Sequence, residues 1–317
     1  MDIIKLSKKV ANKVNFIYTQ VSAEVNALIE RITHSKQFIQ KIDQTKSFPQ
    51  EPRRISVAIT HYERPEILAV ALKNIFKDER VSEIVILDDG SSLSSVSYCI
   101  KNLKDFKVKV KFFRRAENLG PFATKIQACS LCSNAWCILL DSDNTIFDSY
   151  LDAIFSLETW DQETIYCPGF AFPNFDFRVY GDSLFDFNDI CNLQKTTDAS
   201  RFNPFINDCN YFLNVKEFTE MLEPYIKIKP QAADTILLNY LWLSDGKKLR
   251  VLPNASYYHR VHPKSNWILS PDTHAGFYKL ISKFEKEERA TLENLLLLDF
   301  ENLSKTDQKI EHIPLDI

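Results

Sequence analysis

Ile84-Val-Ile-Leu-Asp-Asp-Gly-Ser91 decides the fold: an unbroken apolar run that ends abruptly in two acids and a glycine. With Glu83 it reads as a strand, Glu83 to Asp88, buried on both faces and closing in a polar turn. Working outward, Ile55-Ser-Val-Ala-Ile-Thr60 precedes it as a first strand, and Pro65 to Phe76 forms a helix opened by proline. Downstream come a helix around Val96 to Leu103, a strand at Val108 to Phe113, a helix from Phe122 to Cys132, and a strand at Trp136-Cys-Ile-Leu-Leu-Asp141. Strands alternating with helices predict an α/β fold with a mostly parallel sheet flanked by helices. In such sheets ligands bind at the carboxyl ends of the strands.

Three strand ends carry reactive or polar side chains: Thr60-His61-Tyr62, Asp88-Asp89-Gly90-Ser91 and Asp141-Ser142-Asp143-Asn144. One acid there is ordinary, because Asp favours turns and helix N-caps. Two acidic clusters on neighbouring strands repel each other unless a cation or strong donors compensate them. In an extended segment Asp141 and Asp143 would point to the same side, because side chains alternate with period two. Hard oxygen ligands in that arrangement suit Mn2+ or Mg2+, which also take phosphate oxygens.

Composition narrows the choices. The 317 residues include only six glycines, where average usage would give roughly 22. Neither a G-x-G-x-x-G fingerprint nor a Walker-type phosphate loop is present, so nucleotide recognition falls to side chains and a cation. The net charge of −3 gives no electrostatic reason to expect nucleic acid as a partner. No apolar run approaches a membrane span, and the first ten residues lack the apolar core of a signal peptide. Seven scattered cysteines predict reduced thiols and a cytoplasmic protein, with Cys129, Cys132 and Cys137 acting as core residues rather than metal ligands.

The ordered set Ile55-Ser-Val-Ala-Ile-Thr-His-Tyr62, Ile84 to Ser91, Asn118-Leu-Gly-Pro-Phe-Ala-Thr-Lys125 and Ile138-Leu-Leu-Asp-Ser-Asp143 resembles the GT-A glycosyltransferases of family 2. The resemblance runs from about residue 54 to 267. It implies a GT-A-like (Rossmann-like) domain over 51–270, with a donor half at 51–145 and an acceptor half at 146–270. The implied activity is hexosyltransferase-like: metal-dependent, inverting transfer from a nucleoside-diphosphate sugar, a UDP-sugar first among them, to a saccharide or other hydroxyl acceptor.

The resemblance also implies roles for residues. Thr60, His61 and Tyr62 would line the base pocket. Asp88 would bind base or ribose, and Asp89 would support that turn. Asn118 and Gly120 would shape the loop, and Lys125 would touch the diphosphate. Asp141, Ser142 and Asp143 match the D-x-D segment, with Asp143 as the direct metal ligand and Asp141 beside it. In Pro230-Gln-Ala-Ala-Asp-Thr-Ile-Leu-Leu-Asn-Tyr-Leu-Trp242, Asp234 takes the place of the general base, although Ala233 stands where the family often has another acid. In Tyr257-Tyr-His-Arg-Val-His-Pro-Lys-Ser-Asn-Trp267, His262 and then His259 would be the further metal or diphosphate ligand, and Arg260, Lys264 and Ser265 would be phosphate donors. A nucleotidyltransferase and a non-catalytic nucleotide-sugar binder or scaffold are the rival readings.

Helical extensions are expected at both ends, 1–50 and 271–317. From Ile3 to Ile32 apolar side chains recur at a mean step of about 3.6 residues, the period of a straight amphipathic helix. Its stripe in residues 1–45 can pack on this chain, on a second copy as a homo-oligomer, or on an anionic membrane surface as a peripheral contact. Residues 276–304 are expected to form helices that pack against it.

Overall fold

The computed structural model describes residues 53–107, 109–263, 265, 268, 274–304 and 308–315. The expectations for residues 1–50 and for Lys264 lie outside the described residues.

Four strands make the parallel centre of the sheet: β1 (Ile55–His61), β2 (Val81–Asp88), β3 (Val110–Arg114) and β4 (Trp136–Asp141). β1 lies between β2 and β4, and β3 flanks β2. Every residue of β1 except Thr60 is buried, as a central strand covered on both faces must be. The connecting helices are α1 (Pro65–Lys77), α2 (Leu93–Leu103) and α3 (Pro121–Ser130). Proline opens α1 and α3, where its missing N–H costs nothing. The Ser92 hydroxyl accepts from the Ser95 amide to cap α2. α3 ends two residues short of the expected Cys132, in a turn where the Cys132 amide donates to the Cys129 carbonyl.

The second half continues with β5 (Thr145–Ile146), α4 (Asp148–Phe155), β6 (Thr164–Phe172), β7 (Phe175–Asp176), β8 (Leu184–Phe185), α5 (Phe187–Gln194) and α6 (Ala199–Phe202). Then come β9 (Phe212–Asn214), α7 (Val215–Leu222), β10 (Ile228–Lys229), α8 (Asp234–Ser244) and β11 (Lys248–Tyr258). The chain closes with α9 (His274–Glu285), α10 (Leu292–Leu296), β12 (Glu301–Asn302) and β13 (Glu311–Ile313). The main sheet runs β13-β3-β2-β1-β4-β9-β6-β11-β5, with β9 antiparallel to both β4 and β6. Much of the aromatic stretch 170–187 is core: Phe177, Phe185 and Phe187 are buried, and Phe177 meets Phe205 at 5.4 Å between ring centroids.

Two features position the site. α8 is apolar on every side, and its residues from Asp234 to Leu243 are all buried, so the helix that carries Asp234 is fixed inside the domain. The C-terminal part is helical only through α10. β13 then pairs antiparallel with β3 and covers a sheet edge that would otherwise offer unpaired backbone groups. All seven cysteines are free thiols, six of them buried, as small apolar side chains should be. Among the described residues no helix is long and apolar enough to cross a membrane.

Candidate active site

Strand register brings the polar strand ends to one edge. Thr60 stands opposite Asp141, His61 opposite Asp88, and Asp88 opposite Arg114. The pairing continues past the strands, with the Asp89 amide on the His61 carbonyl at 2.8 Å and the Ser142 amide on the Thr60 carbonyl at 3.2 Å. Above this edge opens a cleft of about 810 Å³. It is bordered by Thr60, His61, Tyr62, Asp89, Asn118, Gly120, Lys125, Asp141, Ser142, Asp143, Asp234, His259, Arg260 and Ser265.

The Asp88-Asp89-Gly90-Ser91 turn builds one wall. Asp88 does not border the cleft: it is fully buried and accepts from the Ser91 amide at 3.1 Å and the Ser91 hydroxyl at 2.5 Å. In this structure both of its oxygens accept from Ser91 and hold the turn together. Asp89 reaches the other way and accepts from the Leu119 and Gly120 amides, each at 3.0 Å. Burial pushes its carboxyl up to about 6 against the pull of Arg115, whose own guanidinium is buried 3.4 Å away. His61 sits beneath the wall with Nε2 3.4 Å from the Cys99 sulfur.

Burial first, and then the Arg64 charge, push the His61 imidazole down to about 4. In an unfolded chain it would take a proton near 6.5. Between pH 6.5 and 4 unfolding thus binds a proton, and this residue lowers stability as pH falls through that window. His61→Gln is expected to flatten the pH dependence of the melting free energy there by up to about 1.4 kcal/mol per pH unit. Equal slopes for wild type and variant in denaturant melts between pH 4 and 6.5 would refute it.

Asp141 and Asp143 take different partners. β4 stops at Asp141 and the chain turns through Ser142 and Asp143, so the period-two alternation expected of an extended segment does not orient the pair. Asp143 meets Arg64 Nη1 at 2.6 Å and His262 Nε2 at 3.0 Å. Burial alone would raise its carboxyl, but the His262 hydrogen bond and the Arg64 charge outweigh that and hold it below the usual carboxylate range. Asp141 Oδ1 receives Thr60 Oγ1 and Lys125 Nζ, each at 3.2 Å.

Lys125 is enclosed, and its ammonium also reaches Asp234 Oδ2 at 2.5 Å. Desolvation disfavours its charge, yet Asp141 and Asp234 more than compensate and raise it well above an ordinary lysine. Lys125 lines the cleft, and there two carboxylates bind its ammonium and join the D-x-D segment to α8. His259 is tied elsewhere, with Nδ1 3.3 Å from Asn174 Nδ2. Ser265 Oγ accepts from the His262 amide at 3.3 Å. The Arg260 amide donates to Asn144 Oδ1 at 3.1 Å.

Among the described residues no three His, Cys, Asp or Glu side chains converge on a metal position. The Asp143 carboxylate and the His262 imidazole are nevertheless an oxygen and a nitrogen donor already side by side, a pair chemically better suited to Mn2+ than to the oxygen-selective Mg2+.

Sequence reasoning missed Arg64, Asn207, Asp208 and Asn210, all of which border the cleft. Arg64 lies only two residues beyond Tyr62, but nothing local marks it as the partner of Asp143, 79 residues away. Asn207, Asp208 and Asn210 fall in a stretch without strand or helix periodicity. The one local cue is Asn210 itself, which adopts φ +76°, a conformation that asparagine tolerates better than most residues.

Residues 56–221 match the model of the family described as Glycosyl transferase family 2. The succinoglycan biosynthesis protein ExoU of Rhizobium meliloti (strain 1021) is 26% identical over 110 residues, 35% of this chain and 32% of that protein. The match thus spans about a third of the length of that curated relative. The structure of S. aureus TarS 1-349 aligns with a TM-score of 0.50 at 16% identity, covering 73% of this chain and 65% of that one. GalNAc-T7, solved with UDP, GalNAc and Mn2+, aligns at 0.53 with 13% identity, covering 80% of this chain and 56% of that one. These two likenesses show a GT-A fold.

Proposed function

The chain belongs to glycosyl transferase family 2, and from that premise we propose that it transfers a hexosyl unit, with inversion, from a nucleoside-diphosphate sugar to a saccharide or other hydroxyl acceptor. The observation that carries the reading is the pairing of Lys125 with both Asp141 and Asp234 in one cleft, next to the Asp143, Arg64 and His262 cluster. It brings a carboxylate that can take a proton to the same space as groups that can hold a diphosphate. A UDP-sugar is the first choice of donor, since TarS has been solved with UDP-GlcNAc and GalNAc-T7 with UDP.

In the proposed reaction the acceptor oxygen attacks the anomeric carbon from the face opposite the diphosphate. The new carbon–oxygen bond forms as the bond to phosphate breaks, and the acceptor proton passes to Asp234. Lys125 holds Oδ2 of Asp234 and orients the carboxylate so that Oδ1 receives that proton. The buried α8 keeps this geometry fixed. Arg64 carries a charge that matches the leaving diphosphate, and Tyr62, 46% exposed at the cleft, offers a ring to the base. Asp143 and His262 would hold Mn2+ or Mg2+, which would supply charge neutralisation to the departing diphosphate.

The test is product identity. With Mn2+ and a panel of nucleotide sugars, the protein is expected to release a nucleoside diphosphate, to lose that activity in EDTA, and to regain it on adding Mn2+. Pyrophosphate release from a nucleoside triphosphate would replace this reading with nucleotidyl transfer. Tight donor binding without turnover across an acceptor panel would leave a binding protein.

A further inference from the structure

Segment 207–210 is anchored to both sides of the cleft. Asn207 Oδ1 accepts from the Ile236 amide at 3.2 Å, in the first turn of α8 and two residues beyond Asp234. Asn210 Oδ1 accepts from the Asp141 amide at 3.0 Å and from Asn144 Nδ2 at 3.2 Å. Asp208 lies between these anchors in the chain and lines the same cleft as Asp234, Asp141 and Asp143. A single displacement needs base, sugar carbon and leaving oxygen in line, so the sugar itself has to occupy that space.

The Asp208 side chain is 7% exposed where it borders the cleft. The buried Tyr257 hydroxyl donates to its Oδ1, whereas Oδ2 is enclosed without a hydrogen-bond partner among the described residues. Buried polar atoms are rarely left unpaired, and each that is calls for a partner. Asn203 Oδ1, five residues earlier, is likewise buried, unpartnered and part of a residue that lines the cleft. Two unsatisfied oxygens on residues that border the cleft fit a ligand rich in hydroxyls. Burial pushes the Asp208 carboxyl up to about 8, against the Tyr257 hydrogen bond.

We propose that Asp208 hydrogen-bonds a hydroxyl of the transferred sugar and so helps to determine which donor sugar the cleft accepts. This rests on the nucleotide-sugar reading above. It is tested by calorimetric titration of wild type, Asp208→Ala and Asp208→Asn, with Mn2+, against UDP-glucose, UDP-GlcNAc, UDP-galactose and GDP-mannose, each compared with plain UDP or GDP. Asp208→Ala is expected to weaken the preferred nucleotide sugar tenfold or more and to leave its parent diphosphate within twofold. Asp208→Asn, which can accept from Tyr257 and donate an N–H to the sugar, is expected to recover most of the loss. Equal weakening of sugar nucleotide and parent, or no weakening of either, overturns the proposal. Should Asp208→Ala give no cooperative melt, Asp208→Ser carries the same comparison, and the same results support or overturn the role. If the wild type binds none of the diphosphates, the nucleotide-sugar reading fails first and the role of Asp208 falls with it. Diphosphate binding with an unmoved sugar increment in the variants defeats the role of Asp208 alone.

Discussion

Asp234→Asn is expected to lower kcat by about 100- to 10,000-fold, the usual worth of a positioned general base. That corresponds to roughly 3–5 kcal/mol of lost transition-state stabilisation. Asparagine keeps the shape of the side chain and can still accept a hydrogen bond from Lys125, but it cannot take the acceptor proton. Donor affinity should change little, because Asp234 pairs with Lys125 rather than with Arg64, assigned to the diphosphate, or with Asp143 and His262, assigned to its metal. Stability should fall by less than the roughly 3–5 kcal/mol seen when a buried charge loses its whole partner, since Lys125 retains Asp141 at 3.2 Å. Steady-state kinetics with the donor found by screening, together with a thermal melt, check both halves. Undiminished kcat in a folded Asp234→Asn protein would remove Asp234 from the chemistry.

The second large effect is on the donor wall. Gly90 has φ +77°, and a Cβ built there would stand 2.7 Å from the Glu117 carbonyl carbon and 2.8 Å from the Asn118 amide nitrogen. Gly90→Ala therefore meets two costs: a left-handed backbone, about 1–2 kcal/mol, and a collision with backbone that has to move, about 1–3 kcal/mol. The summed loss of about 2–5 kcal/mol should appear in denaturant melts. Nucleotide binding should weaken with it, because pushing 117–118 away disturbs the Leu119 and Gly120 amides held by Asp89. Gly246→Ala is the control. Its φ is +84° but nothing lies within 4 Å of the added atom, so only the backbone cost applies. Equal losses in the two variants would show that the close approach at Gly90 contributes nothing.

Much of the donor half was legible from local pattern. The runs at 57–59, 84–87 and 137–140 are continuously apolar because both faces of a central strand are covered, and their polar ends follow from the same fact. Gly90 announced a turn, and it adopts φ +77° there. The acceptor half was less legible. Its aromatics serve mostly as core, and a buried ring and a ring facing a ligand look alike in sequence. β13 was not foreseen either, since Glu311-His-Ile313 has too few residues to show alternation and forms a strand by pairing with the open edge of β3.

The sequence by itself determined an α/β chain with a parallel sheet centre, the edge of that sheet where chemistry collects, and most of the acids and histidines gathered there. Those properties follow from periodicities of a few residues, which survive in any correct fold. The tertiary structure alone decided the partnerships: Lys125 with Asp234 across 109 residues, Arg64 with Asp143 across 79, and Asn210 with the Asp141 amide across 69. It buried Asp88 in the turn, paired Lys125 with two carboxylates, and brought Asp208 to the lining of the cleft. A charged or polar side chain takes the partner that packing places within about 3 Å, and no local pattern records which distant residue that will be.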